Sequence, residues 1–184
     1  MNIKNCQSEM RAAFQGGFAG QLVSGLIWLS AAAASTWLRP SYGMALLFFG
    51  SMLIFPLTQG MLRLIGKKGK VSTDNKLWGL GTQTAFTVPI NFLLVGAATL
   101  YHENWFFPAS LIVVGAHYLP FITLYGMQMF AALAFVLVAA GVGLGFFGYD
   151  VFHTGGWVGA VTLLVFAIIG RQIAIREEKG LDLG

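Results

Sequence analysis

A histidine set in an apolar run is the most chemically informative residue of this 184-residue chain. His117 stands in Gly115-Ala-His-Tyr-Leu-Pro-Phe121, beside Tyr118 and Pro120. An imidazole titrates near neutral pH, so it can relay a proton, bind a metal or donate a hydrogen bond to a carbonyl. A proton relay needs an acidic partner, and none accompanies it: Glu9, Asp74, Glu103, Asp150, Glu177, Glu178 and Asp182 all fall outside the apolar runs. That counts against a proton-coupled pump. It also leaves a Ser or Thr nucleophile without an activating base. The chain has no Gly-x-Ser-x-Gly elbow, no His-Glu-x-x-His, no phosphate-binding loop and no dinucleotide fingerprint. No catalytic residue, cofactor or resident metal is therefore expected. His102-Glu103 and Asp150-x-x-His153 are the only loop combinations with metal-binding chemistry, and both are generic.

The remaining polar positions are uncharged. Gln83, Thr87 and Asn91 recur at i, i+4 and i+8, which puts them on one helix face. Gln21 and Ser24 lie three apart, Thr58 and Gln59 adjoin, and Thr123 follows Pro120 by three. Polar groups at membrane depth are costly unless they find partners. Pro56, Pro89 and Pro120, taken as interior to helices, would each free the carbonyl four residues earlier, at Met52, Ala85 and Ala116. One reading is a polar cavity open toward the cytoplasm. Its ligand-binding candidates are Gln21, Gln59, Gln83, Thr87, Asn91, His117 and Tyr118, which suit a small neutral or weakly polar ligand. The other reading is a set of interhelical hydrogen bonds, worth about 0.6 kcal/mol each on average. The residues leave both open.

The elements that must position these side chains follow from composition. The chain is 57% hydrophobic and 10% charged, with mean hydropathy +0.73. Soluble domains carry about 25% charged residues, so most of this surface must face lipid. Six apolar stretches can be marked, at 14–38, 41–65, 77–100, 106–124, 129–147 and 157–175. Each is long enough, at 1.5 Å per residue, to cross a hydrocarbon core of about 30 Å. The expected fold is all-α: one transmembrane domain over 1–184, a polytopic bundle of six helices. The first thirteen residues read as a polar leader, and the first apolar run as a retained helix, since it is too long for a signal sequence. Counting inward, Gln21 and Gln83 lie roughly 10 Å from one edge, with His117 about 16 Å from the other.

Charge sets the direction. Lys4, Arg11, Arg63, Lys67, Lys68, Lys70, Lys76, Arg171, Arg176 and Lys179 fall on one side of a six-span arrangement, and Arg39 alone on the other. The positive-inside rule then places both termini in the cytoplasm. Tyr101, Trp105 and Trp157 are placed as interfacial anchors on the opposite side. The net charge of +4 does not indicate nucleic acid, because the basic residues form no contiguous surface. Cys6 is the single cysteine, so no intrachain disulfide can form. The basic segment 67–76 can also touch anionic headgroups.

Helices one and two can be laid on helices three and four. Gly20-Gln21 falls on Thr82-Gln83, and Gly50…Pro56…Gly60-Met61 on Gly115…Pro120…Gly126-Met127. A parallel hairpin repeat and chance similarity both account for this. Gly16-x-x-x-Gly20, Gly141-x-x-x-Gly145 and Gly155-x-x-x-Gly159 place small residues one turn apart, which predicts close helix packing.

The segment 115–121, together with Phe55-Pro-Leu-Thr-Gln-Gly-Met61, resembles small bacterial multi-pass inner-membrane families of unknown function. The resemblance spans the chain and implies an inner-membrane location, but it carries over no catalytic or ligand residue. Two roles are expected from the residues: a transporter-like or ligand-binding membrane protein, or an accessory subunit in a homo-oligomer or with a partner membrane subunit. An intramembrane enzyme ranks below both.

Overall fold

The computed structural model describes residues 2–148, 151–178 and 180, and among these it is wholly helical. Six helical stretches are long and apolar enough to cross a membrane: Ile3–Trp37, Pro40–Leu64, Leu77–Tyr101, Glu103–Tyr125, Met129–Phe147 and Thr154–Glu177. Lys179 of the basic tally, and Asp150 of the loop pair with His153, lie outside the described residues.

The first stretch differs from expectation. The polar leader is itself a helix, α1 (Ile3–Phe14), capped by the Asn2 side chain, which accepts from the Asn5 N–H. Its apolar residues, Ile3, Cys6, Met10 and Phe14, recur at helical spacing, and the last three are buried. A turn at Gln15–Gly17 then redirects the chain through three successive left-handed residues, with φ of 52°, 60° and 84°. Glycine adopts this region without a Cβ penalty. At Gly16 a Cβ would also stand 2.9 Å from the Gly170 carbonyl oxygen. The spanning helix α2 therefore starts at Phe18 and runs to Trp37, where the sequence suggested 14–38. Hydropathy counts Gln15-Gly-Gly as interior; the backbone geometry makes it a corner.

After the Arg39-Pro40 corner comes α3 (Pro40–Leu64), with proline in the first turn, where no N–H is needed. The remaining elements are α4 (Leu77–Tyr101), α5 (Phe106–His117), α6 (Leu119–Tyr125), α7 (Met129–Phe147) and α8 (Thr154–Glu178). The fourth span, read in sequence as one helix over 106–124, is two. Proline 56 lies inside continuous α3, whereas its counterpart in the repeat alignment, Pro120, opens α6.

Central α2 packs lengthwise against α3 on one side and α8 on the other, while α5 packs against α7 and α4. Small residues permit this. A methyl group at Gly141 would stand 2.7 Å from the Pro108 carbonyl, one at Gly155 would stand 2.7 Å from Phe107, and one at Gly159 would overlap the Trp28 ring. The glycine pairs thus pack helices, except that Gly16 belongs to the turn. Ala19, Ala31, Ala32, Ala160 and Ala167 are fully buried, while Phe49, Ile90, Leu93, Phe135 and Phe146 face outward. That distribution suits a bundle solvated by lipid tails, whose helices cohere by close packing.

Each end of the bundle has its own chemistry. At one end Trp157 Nε1 donates to Thr36 Oγ1 (3.0 Å) and its ring meets Trp37 edge-on. At the other, Arg11 pairs with Glu177 and donates to the Tyr125 carbonyl, joining the first and last helices at the end that carries the basic loop.

Candidate functional site

The break in the fourth span organises the polar residues. α5 stops at His117 because Pro120 has no N–H to continue the ladder and disfavours helical geometry just before it. Three-residue bonds hold the corner: Tyr118 N–H donates to the Gly115 carbonyl and Phe121 N–H to the Tyr118 carbonyl, each at 3.1 Å. The carbonyl expected to be freed inside a continuous helix at Ala116 is thus part of a corner.

His117 is tied to α4. Its Nδ1 lies 3.1 Å from Thr87 Oγ1, and the Thr87 hydroxyl donates to the Thr84 carbonyl at 2.7 Å. The Thr84 backbone also hydrogen-bonds the imidazole, so His117, Thr87 and Thr84 form one linked group whose proton positions follow the ring's tautomer. The ring packs against Tyr118 and Phe121, with centroids 5.7 and 5.1 Å away.

Beyond it lies an aromatic cluster. Phe130 of α7 stacks on Tyr118 and Tyr125, at 6.1 and 5.3 Å, and meets Phe121 at 5.4 Å. Central α2 faces this cluster: Ser24 partners the buried Tyr118 phenol, and a Cβ at Gly17 would sit 3.1 Å from the Phe130 ring. Gln21 lies between Gly17 and Ser24 on that face. It is 2% exposed, and among the described residues neither its Nε2 nor its Oε1 has a partner. A buried unsatisfied amide costs about 1–3 kcal/mol. The buried Thr58 hydroxyl, also unpartnered, lies by Gly20.

Of the seven candidates, the structure gathers Gln21, Tyr118, His117 and Thr87 around the break. It does not bring the other three there. Gln59 packs on the following loop, where a Cβ at Gly69 would stand 2.7 Å from its Oε1. Gln83 is exposed on the outer flank of α4 and Asn91 is half-buried; among the described residues neither makes a hydrogen bond. The i, i+4, i+8 stripe advances 40° per step, so it runs from the outward side at Gln83 toward the buried face formed by Thr84, Phe92 and Val95, without lying on it.

The expected opening toward the basic end is crossed by α1. Gln7 Nε2 donates to the Thr123 carbonyl at 2.8 Å, and Arg11 to that of Tyr125. Glu9 accepts from Ser72 N–H (2.6 Å) and Asn75 Nδ2 (2.7 Å), and Asn75 also donates to the Cys6 carbonyl. The Ser72 backbone N–H, followed by the Asn75 amide, holds the Glu9 carboxyl below its ordinary value. Sequence reasoning missed this cover and the aromatic cluster. The spacing of Tyr118, Phe121 and Tyr125 at i, i+3 and i+7 was the available signal for the cluster. An open groove of about 590 Å³ between α2 and α3 is apolar, lined by Leu26, Ile27, Leu46 and Leu57 among others, and none of the seven candidates lines it. No three His, Cys, Asp or Glu among the described residues come together as a metal site.

The arrangement can bind a polar group through an amide beside aromatic faces; it holds no nucleophile–base pair. No curated protein and no solved structure matches the chain. Over residues 3–172 the chain matches, and so belongs to, a family of unknown function, DUF7010.

Proposed function

We propose that this multi-pass membrane protein binds, and passes across the bilayer, a small neutral solute at the break in its fourth span. The observation that carries the reading is the Gln21 carboxamide, buried with both ends unpartnered between Gly17 and Ser24. A ligand offering one donor and one acceptor, such as an amide or a vicinal hydroxyl, would satisfy it. The rings of Tyr118, Phe121 and Phe130 pack on one another beside that amide, so a ligand would enter by parting them. Uncharged lining suits an uncharged solute, and the absence of a membrane-depth acid argues against proton coupling. We place the protein in a bacterial inner membrane, as its resemblance to small bacterial multi-pass families implies, and its basic end in the cytoplasm, by the charge asymmetry of its loops. Helix α1 then lies across the cytoplasmic mouth as a cover.

Thermal shift of the purified protein against pools of neutral metabolites tests this. A pool that raises Tm in the wild type but not in Gln21→Leu or His117→Ala is expected. No shift with any pool refutes the reading. The close glycine contacts favour a second reading, a non-catalytic membrane subunit. It requires a stoichiometric partner on purification in mild detergent.

A further inference from the structure

Helices α2 and α3 lie tightly together away from the basic end and part toward it. A Cβ at Gly43 would overlap Ser35, and one at Gly50 would stand 2.6 Å from Ile27, whereas one at Gly60 would meet nothing within 4 Å. Pro56 stands between the two regimes, inside α3, where proline removes a ladder hydrogen bond and bends the helix. The resulting gap is the apolar groove of about 590 Å³, a size within the range of about 300–1,000 Å³ found for ligand pockets. Leu57, Gly60, Met61 and Leu64 line it at helical spacing from α3, with Leu26 and Ser30 from α2. The Ser30 hydroxyl is already committed, donating to the Leu26 carbonyl at 2.9 Å, so the groove asks for no polar ligand. From Gly50 to Leu64 it follows α3 for about 21 Å, enough for an acyl chain that covers half of a hydrocarbon core of about 30 Å. Ile65, also in the lining, leads straight into the basic loop. Lys68 follows it by three residues, within about 11 Å along the chain, and Arg63 precedes it by two. Arg63, Lys68 and Lys70 are exposed, and among the described residues none of them pairs with a carboxylate.

We infer that this groove binds one anionic glycerophospholipid, with an acyl chain between α2 and α3 and the phosphate held by Arg63 and Lys68. The occupant follows from what lies along the groove and at its end. Its apolar walls are open to the bilayer, so the chain that fills it comes from the bilayer itself. The cations at its mouth have no carboxylate to neutralise them, and a guanidinium can grip a phosphate through two parallel hydrogen bonds. A headgroup with net negative charge satisfies them better than a zwitterionic one, whose own ammonium opposes its phosphate. Each basic residue beside an anionic headgroup strengthens binding by roughly fivefold. The site is separate from the break in the fourth span, so either can fail without the other.

The probes are dioleoylphosphatidylglycerol, which is anionic, and zwitterionic dioleoylphosphatidylcholine, offered in equal amounts to the delipidated protein in a nonionic detergent. Retained lipid is counted by intact-mass spectrometry. Wild type is expected to hold one lipid per chain and to prefer the anionic one by roughly tenfold to thirtyfold. Gly60→Leu, whose side chain enters open space, should lose both lipids with its Tm in detergent unchanged. The Arg63→Gln/Lys68→Gln double variant should keep a lipid but lose the preference, whereas Arg39→Gln, at the opposite end of α3, should keep it. An excess of free glycerol 3-phosphate should displace nothing; displacement of the lipid would overturn the inference by showing a phosphate site that does not need the groove. Equal retention of the two lipids by wild type also overturns it. So does undiminished retention by Gly60→Leu, or a wild-type preference in the double variant.

Discussion

Replacing Gln21 by methionine should stabilise the protein. The perturbation keeps the length and nearly the volume of the side chain while removing the two orphaned polar atoms, so packing changes should cost less than about 1.5 kcal/mol. Against that stands the recovered penalty of a buried amide without partners, about 1–3 kcal/mol. The net expectation is a gain of about 1 kcal/mol. For a chain of this size that raises Tm by about 2–4 °C. The assay is equilibrium unfolding in mixed micelles, wild type against Gln21→Met, with Gln21→Ala as a control whose cavity offsets the benefit. The same pair separates stability from binding. A solute at one hundred times its Kd stabilises wild type by about 2.7 kcal/mol through linkage, and Gln21→Met should lose that increment while starting from a higher baseline. A Gln21→Met protein less stable than wild type by about 1 kcal/mol would refute the reasoning, because it would mean that the amide is satisfied in the folded state.

The cover helix should respond to acid. Glu9 is held below its ordinary value, so its grip on Ser72 and Asn75 is complete above the ordinary carboxylate range of about 4.3 and is lost as pH falls through the lower folded value. Labelling of buried Cys6 by 2,2′-dithiodipyridine, which reacts with thiols in acid, should therefore accelerate in that window relative to a free thiol, and Glu9→Gln should label faster at neutral pH with the acid step abolished. Gly159→Ala should destabilise by about 1–3 kcal/mol, because the added methyl meets the Trp28 ring, whereas Gly60→Ala, with open space around it, should be neutral or slightly stabilising in denaturation assays. Tags on the two termini of intact cells should be reached from one side only; labelling from opposite sides would break the six-span arrangement.

Much of the architecture is written in hydropathy. Six lipid-length runs, the Arg39-Pro40 corner and the basic segment 67–76 are local properties, because lipid solvation rewards length and composition within a single helix. The packing role of Gly141, Gly155 and Gly159 was legible for the same reason: one-turn spacing of small residues is a property of one helix. The break at Tyr118 was half legible, since Pro120 announced an irregularity but not that α5 and α6 would part there.

What tertiary structure alone decided is which polar side chains meet. Gln21 and Gln83 look alike in sequence, each roughly 10 Å inside an apolar run. Yet Gln21 is sealed in the centre, while Gln83 faces outward, because burial depends on which neighbouring helix covers each face. The stripe on α4 follows helical spacing, but spacing could not reveal that its 40° drift per step starts it on the outward side at Gln83 and brings only Asn91 to a half-buried position. Nor could composition show that a polar leader folds into α1, since its stability comes from Gln7, Glu9 and Arg11 reaching residues more than sixty positions away. Length and hydrophobicity fix which segments enter the membrane; the hydrogen bonds that select one arrangement form only once distant helices stand side by side.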